Sequence, residues 1–269
     1  MNRTASSSSV QDSDSPGSNG QGDVPSGAMT FWDHLDVLRS ALIRMAVAVV
    51  VSAVVAFLLK DVLFSVVLAP RSSDFVSYRL IGVEAFSLHL MNTGLTEQFM
   101  IHLKIALYAG LLLASPFVLY QLFKFVSPAL YDNERHYAIW IVGGAYVMFL
   151  LGTLVNYLLV FPFTLNFLGT YQVRSDVDNM LTLQSYIDTL VIMSLMMGVV
   201  FELPVVSWLL GKMGLLTSGI MRRYRRHAIV VIMVIAAIIT PTTDIFTLTI
   251  VSIPIWLLYE LSVLIVKKK

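Results

Sequence analysis

Cysteine is absent from the 269 residues, which excludes disulfide staples, thiolate nucleophiles and cysteine-ligated metal centres. Charge is scarce as well. Asp, Glu, Lys and Arg make up 13% of the chain, against about 25% in a soluble domain. A net charge of +1 argues against a nucleic-acid or acidic partner for the chain as a whole. There is no Gly-rich phosphate loop, no His-x-x-x-His pair and no Gly-x-Ser-x-Gly elbow. Asp33 and Asp36 have no further acids beside them to hold a metal, and His34, His89, His102, His136 and His227 are scattered. The sequence therefore implies no enzyme, no metal and no cofactor.

What the chain has instead is apolar length. Hydrophobic residues make up 57% of it, gathered in runs at 41–59, 105–123, 138–163, 187–210, 228–240 and 245–266. Crossing about 30 Å of hydrocarbon takes about 20 helical residues. The pattern predicts an all-α membrane protein with six transmembrane helices, the last two short. The run Ala228–Thr240 reaches only about 20 Å, and Pro241-Thr-Thr-Asp244 turns the chain back. Short interfacial helices are expected in the long outer segment, over Asp61–Leu68 and Val83–Met100.

Basic residues set the orientation. Arg39, Arg44, Lys124, Arg135, Lys212, Arg222, Arg223, Arg225, Arg226 and Lys267–Lys269 fall on one side of this plan. Arg71, Arg79 and Arg174 fall on the other, with Lys60 and Lys104 at span edges. The positive-inside rule assigns the rich side, and with it both termini, to the cytoplasm. Residues 1–28 are rich in Ser, Gly and Asp, with almost no large apolar side chain, and read as a disordered N-terminal extension. Met29 is a candidate natural start. No apolar segment with a cleavage site follows the first residues, so no removable signal peptide is expected. Residues 29–266 form the membrane domain and 267–269 a basic tail.

Carboxylates within apolar spans are costly and mark functional candidates. Glu202, in Phe201-Glu202-Leu203-Pro204, lies ten residues before Lys212, about 15 Å from that end of its span. Pro204 is expected to kink the helix and free a carbonyl. Glu260, seven residues before Lys267, is a second candidate. Either acid has the alternative of being protonated and hydrogen-bonded to a neighbouring helix. Asp188 and Asn156 read as polar residues tolerated near the outer ends of their spans.

At the second span the sequence stops being generic. Ser115-Pro-Phe-Val-Leu-Tyr120-Gln121-Leu-Phe-Lys-Phe125-Val-Ser-Pro128-Ala-Leu-Tyr131-Asp-Asn-Glu134-Arg135 resembles the signature of the TatC family, the large subunit of the twin-arginine translocase. Asp33-His-Leu-Asp36-Val37-Leu-Arg39, Phe201-Glu202-Leu-Pro204 and Ile239-Thr240-Pro241 to Asp244 resemble further motifs of that family, in its order. The resemblance covers about residues 29–266. It implies a receptor in the bacterial cytoplasmic (inner) membrane, multi-pass, for twin-arginine signal peptides on folded cargo. Such a receptor works with TatA- and TatB-type single-span subunits in a complex that holds several copies of it, and draws on the proton-motive force.

Glu134 carries over as the recognition acid and Phe125 as part of the same surface, with Tyr131 and Arg39 beside them. Aromatic faces can hold a guanidinium by cation–π contact, and a carboxylate can pair with it bidentately. Where the family has a second glutamate this chain has Val37, and Asp33, one turn earlier on nearly the same face, is expected to supply the charge. Asp33 as N3 of a capping box begun by Thr30 is the alternative. Gln121, Glu202, Thr240, Asp244 and Glu260 are the polar residues within or bordering the spans expected to contact partners. Leu248 stands near where the family often has glutamine. Two other classes compete with this reading. A proton-coupled secondary transporter would centre on Glu202, and an intramembrane enzyme would need a catalytic pair that the spans lack.

Overall fold

The computed structural model describes residues 31–72, 75–81, 90–126, 138–171, 180–240 and 244–266. The described residues are helical almost throughout, as the apolar runs predict. The first span is α1 (Phe31–Leu58), followed by α2 (Lys60–Val67), a 3-10 turn at Ala69–Arg71 and α3 (Val76–Ile81). The second span is α4 (Glu97–Val126), a 30-residue helix that accommodates Pro116. The third joins α5 (Ala138–Val155) to α6 (Phe161–Thr170) through a π-helical turn at Asn156–Val160. The fourth is α7 (Leu183–Val200) and α8 (Leu203–Lys212). After α9 (Ser218–Arg223), the fifth is α10 (Arg225–Ile239) and the sixth α11 (Ile245–Ile265).

Five of these six spans are long and apolar enough to cross a membrane. The remaining one, α10, has 15 residues and reaches about 22 Å; α11, with 21, is the next shortest. One sequence expectation needs correction. The segment expected to be helical over Val83–Met100 is not so in its described part. Leu90–Met91 forms a two-residue strand, β1, paired in parallel with β2 (Leu181–Thr182), and helix begins only at Glu97. Leu95 and Thr96 turn the chain into that helix, and Glu97 accepts the backbone N–H groups of Thr93 and Gly94 just before the turn. The fourth span, one run over Leu183–Lys212, breaks briefly where the Pro204 kink is expected. Pro204 has no N–H for the carbonyl of Val200, so the helix stops at Val200 and restarts at Leu203.

Between apolar helices in lipid there is little hydrophobic drive, so close approach of small residues decides which helices pair. Antiparallel α1 and α4 meet at Gly110, where a Cβ would lie 2.5 Å from the backbone N of Ala53. Ala56 and Ala106 are buried along the helices they belong to. Antiparallel α5 and α7 meet through two glycines. A Cβ on Gly152 would stand 2.6 Å from the Met197 carbonyl, and one on Gly198 would stand 2.7 Å from the Phe149 ring. The centre of the bundle is sealed by Val160, Ile187, Met193, Met197, Val251 and Ile255, all fully buried.

The end of the bundle carrying α2 and α3 is held by side chains that donate to backbone carbonyls. Pro162 cannot donate to Leu158, and the hydroxyl of Ser77 donates to that carbonyl instead. The last carbonyls of α2 also receive side-chain donors from other spans. Tyr157 donates to Val66 at 2.6 Å and Tyr186 to Val67 at 2.9 Å. The Tyr78 hydroxyl lies 3.0 Å from the Pro70 carbonyl and 3.2 Å from that of Pro162. Burial pushes the Tyr78 phenol well above its ordinary pKa, which keeps it a donor.

Gly110→Leu is expected to force α1 off α4, lowering the thermal unfolding midpoint in detergent at a cost of about 1–3 kcal/mol. Gly143→Leu, where an added Cβ meets nothing within 4 Å, should change stability by less than about 0.5 kcal/mol. Equal responses would contradict the packing.

Candidate functional site

The antiparallel pairing of α1 and α4 fixes which residues share a membrane end. His102 stacks on Phe57 with ring centroids 4.0 Å apart, and a ring nitrogen lies 3.1 Å from the Phe57 carbonyl. From Ala53 back to Arg39, and from Gly110 on to Lys124, is the same 14 residues, or about 21 Å along each axis. Arg39 therefore stands level with the last turns of α4. Arg39 and Val37 are exposed, Gln121 is buried at 6% and Phe125 is half-buried. Glu134 and Tyr131 fall in 127–137, outside the described residues. The backbone of Asp33 lies in the first turn of α1, while its side chain is outside the description.

Glu202 occupies the break in the fourth span. Its backbone carbonyl accepts the Val206 N–H at 2.9 Å, which starts α8. Its side chain is half-buried, and Oε1 is buried without a hydrogen-bond partner among the described residues. Glu260 is engaged: Arg225 Nη2 donates to its Oε2 at 2.6 Å, tying the start of α10 to the last turns of α11. At the opposite end, Thr240 is buried and its hydroxyl donates to Ala236. Asp244 caps α11, accepting the Thr247 N–H at 2.8 Å and the Thr247 hydroxyl. Leu248 packs on the core. Among the described residues these positions are not one pocket: Arg39, Gln121 and Phe125 lie at the α1–α4 end, Glu202 in a helix break, Glu260 in an ion pair with Arg225, and Thr240 and Asp244 at the facing ends of α10 and α11.

Sequence reasoning missed three arrangements. Glu97 is 7% exposed. It accepts Gly94 N at 2.7 Å, Thr93 N at 2.9 Å, the Thr93 hydroxyl at 3.2 Å and Gln184 N at 3.2 Å. The Thr93-Gly94 pair with an acid three residues beyond Gly94 was the available signal. Asp188 pairs with Lys104, joining α7 to α4. Asn156 is fully buried rather than tolerated at a span end, and its amide donates to Ser194 at 2.8 Å from the widened π turn. Near Asp188, a recess of about 460 Å³ opens between α7 and α10, bounded by Gln184, Thr189 and Thr240. Among the described residues, no three metal-ligating side chains converge.

Broken helices, buried polar contacts inside an apolar bundle and polar elbows at both ends define a multi-pass α-helical membrane protein of the transport class. Residues 33–254 match the family described as TatC, Sec-independent protein translocase protein (TatC), and the chain belongs to that family. It is 31% identical over 252 residues to the Sec-independent protein translocase protein TatC of Blattabacterium sp. subsp. Periplaneta americana, covering 88% of this chain and 94% of that one. To the protein of the same name from Aquifex aeolicus it is 32% identical over 240 residues, covering 89% and 95%. A crystal structure of a twin-arginine translocase receptor, TatC in DDM, superposes with a TM-score of 0.74 at 32% identity, covering 87% of this chain and 99% of that one. The chain is thus a Sec-independent translocase subunit, a transport component and not an enzyme. The solute-transporter and intramembrane-enzyme alternatives fall with that membership.

Replacing Glu97 by Gln removes a charge that serves four donors and weakens each of those charge-assisted hydrogen bonds. Amide hydrogen exchange at Thr93, Gly94 and Gln184 should accelerate by at least tenfold. Unchanged protection there would mean that the carboxylate does not hold this turn.

Proposed function

We propose that the chain captures twin-arginine signal peptides of folded cargo at the membrane end where α1 begins and α4 closes, with Glu134 as the principal acid. Phe125 and Tyr131 flank the guanidinium groups, and Arg39 lines the same surface. Asp33 supplies the second negative charge that Val37 cannot. The observation that carries this reading is the common level of Arg39 and the Gln121–Phe125 turn, imposed by the Ala53–Gly110 contact. It brings the start of α1 and the end of α4, which residues 127–137 follow in sequence, to one side of the bundle. The exposure of Val37 and Arg39 supports access to that face.

Arginine suits such capture because it stays charged at any physiological pH and its planar fork matches a carboxylate. Lysine offers a point charge without the fork. In this reading the capture face is cytoplasmic, as are both termini, in the bacterial inner membrane. Residues 29–266 form the membrane unit, 1–28 an extension and 267–269 a basic tail. TatA- and TatB-type single-span subunits are the partners, several copies of the receptor assemble together, and the proton-motive force drives transport. Gln121, Glu202, Thr240, Asp244 and Glu260 are the polar positions that partner helices meet. The brevity of α10 supports a second element of the proposal, a locally thinned bilayer beside the receptor that eases passage of a folded domain.

Binding to an immobilised signal peptide tests the reading directly. The Arg-Arg form should bind at least tenfold tighter than a Lys-Lys form, and Glu134→Ala should abolish the difference. Equal affinity for both peptides would remove the proposal. In an export assay, Asp33→Asn is expected to reduce transport several-fold while Glu134→Ala stops it. Normal export by Asp33→Asn would leave Asp33 a helix-capping residue. Inserting four leucines into α10 should block export and leave peptide binding intact, and unchanged export would discard the thinned bilayer.

A further inference from the structure

A net charge of +1 argues against an acidic partner for the whole chain, yet the fold gathers cations locally. Arg222 and Arg223 close α9, and Arg225 and Arg226 open α10 on the other side of Tyr224. All four are exposed. Arg225 is taken up by Glu260, and among the described residues Arg222, Arg223 and Arg226 form no ion pair. Like charges repel one another, so three exposed arginines within five residues of chain, outside any ion pair among the described residues, favour an anionic ligand.

The elbow that carries them is packed. Met221, Val263 and Val266 form a small buried cluster of their own, joined by Leu216 and Tyr259. The Tyr259 hydroxyl donates to the Met221 carbonyl at 2.7 Å. Thr217 caps α9 by accepting the Ile220 N–H. Gly211 packs against Val266, where an added Cβ would stand 3.1 Å from Cγ1. The backbone bearing the arginines is therefore held in place before any ligand arrives.

Depth decides what that ligand is. Val230, Val231 and Val234 of α10 are more than half exposed, which in a membrane protein marks contact with lipid tails. Arg226 precedes Val230 by one turn, about 6 Å, so its guanidinium lies at headgroup level. Tyr224, also exposed, sits beside it as interfacial aromatic residues do. Because α10 is shorter than the hydrocarbon layer, the adjoining leaflet must dip to meet it, which brings headgroup phosphates toward the arginines. We propose that the α9–α10 elbow binds the phosphates of anionic phospholipid headgroups through Arg222, Arg223 and Arg226. A guanidinium fork pairs with two phosphate oxygens at once, and basic clusters flanking a membrane helix select anionic lipid.

The test uses the full chain in detergent, supplemented with phosphatidylglycerol or phosphatidylcholine. Thermal unfolding and native mass spectrometry of retained lipid are the readouts. Phosphatidylglycerol should raise the unfolding midpoint by several degrees more than phosphatidylcholine, and the difference should shrink at high salt. R222Q/R223Q/R226Q should erase that difference and at least halve the phosphatidylglycerol retained. R222K/R223K/R226K, which keeps the charge, should preserve most of both. The proposal fails if the two lipids act alike, if the glutamine variant keeps its preference, or if sodium phosphate alone reproduces the shift. None of these outcomes bears on signal-peptide capture, which in the reading above depends on Glu134 and Asp33.

Discussion

No water inside a bilayer hydrogen-bonds a backbone, so every place where a helix stops within this bundle has to find its partners in the protein. The fold is largely a record of how that is done. Where Pro162 deprives Leu158 of a donor, Ser77 reaches in from α3. Where α2 ends, two tyrosines from different spans donate to its last carbonyls. Where α10 and α11 turn back on each other, Thr240 and Asp244 cap the two termini. The short outer helices are thus fastened to the spans by hydrogen bonds to backbone carbonyls.

The same constraint separates the polar residues by role. Thr240 and Asp244 close the last hairpin, and Glu260 is spent on Arg225. Glu202 is different. It sits where Pro204 has already broken the ladder, with a buried oxygen that nothing among the described residues satisfies. The stiffness on which these features depend comes from glycine. Gly110, Gly152 and Gly198 let α1 approach α4 and α5 approach α7 at backbone contact distance. Those approaches set which helix ends coincide, and so which motifs, distant in sequence, face the same aqueous side.

That dependence also connects the two ends of the α10–α11 hairpin. At one end Asp244 caps the start of α11; the other is the packed elbow of Met221, Val263 and Val266, with its row of arginines. The proposed thinning of the bilayer rests on a short span anchored at both of these ends. The receptor role assigned to the α1–α4 end and the lipid contact assigned to the elbow draw on different residues but on one bundle.

Much of this was legible without coordinates. Apolar runs of about 20 residues cross a bilayer whatever their neighbours do, so the spans, the shortness of the fifth and the break near Pro204 followed from residue order. The family motifs likewise read linearly, from Asp33-His34-Leu35 to Thr240-Pro241. What residue order left open was pairing. Nothing in residue order linked Glu97 to Gln184; the N–H of Gln184 reaches its carboxylate beside the parallel β1–β2 contact. Lys104 and Asp188 lie 84 residues apart and Asn156 and Ser194 lie 38 apart, with no sequence pattern linking them. Hydropathy and charge act one residue at a time and are written in the chain itself. Contacts between spans depend on rotation and depth of whole helices, and only the packed bundle decides those.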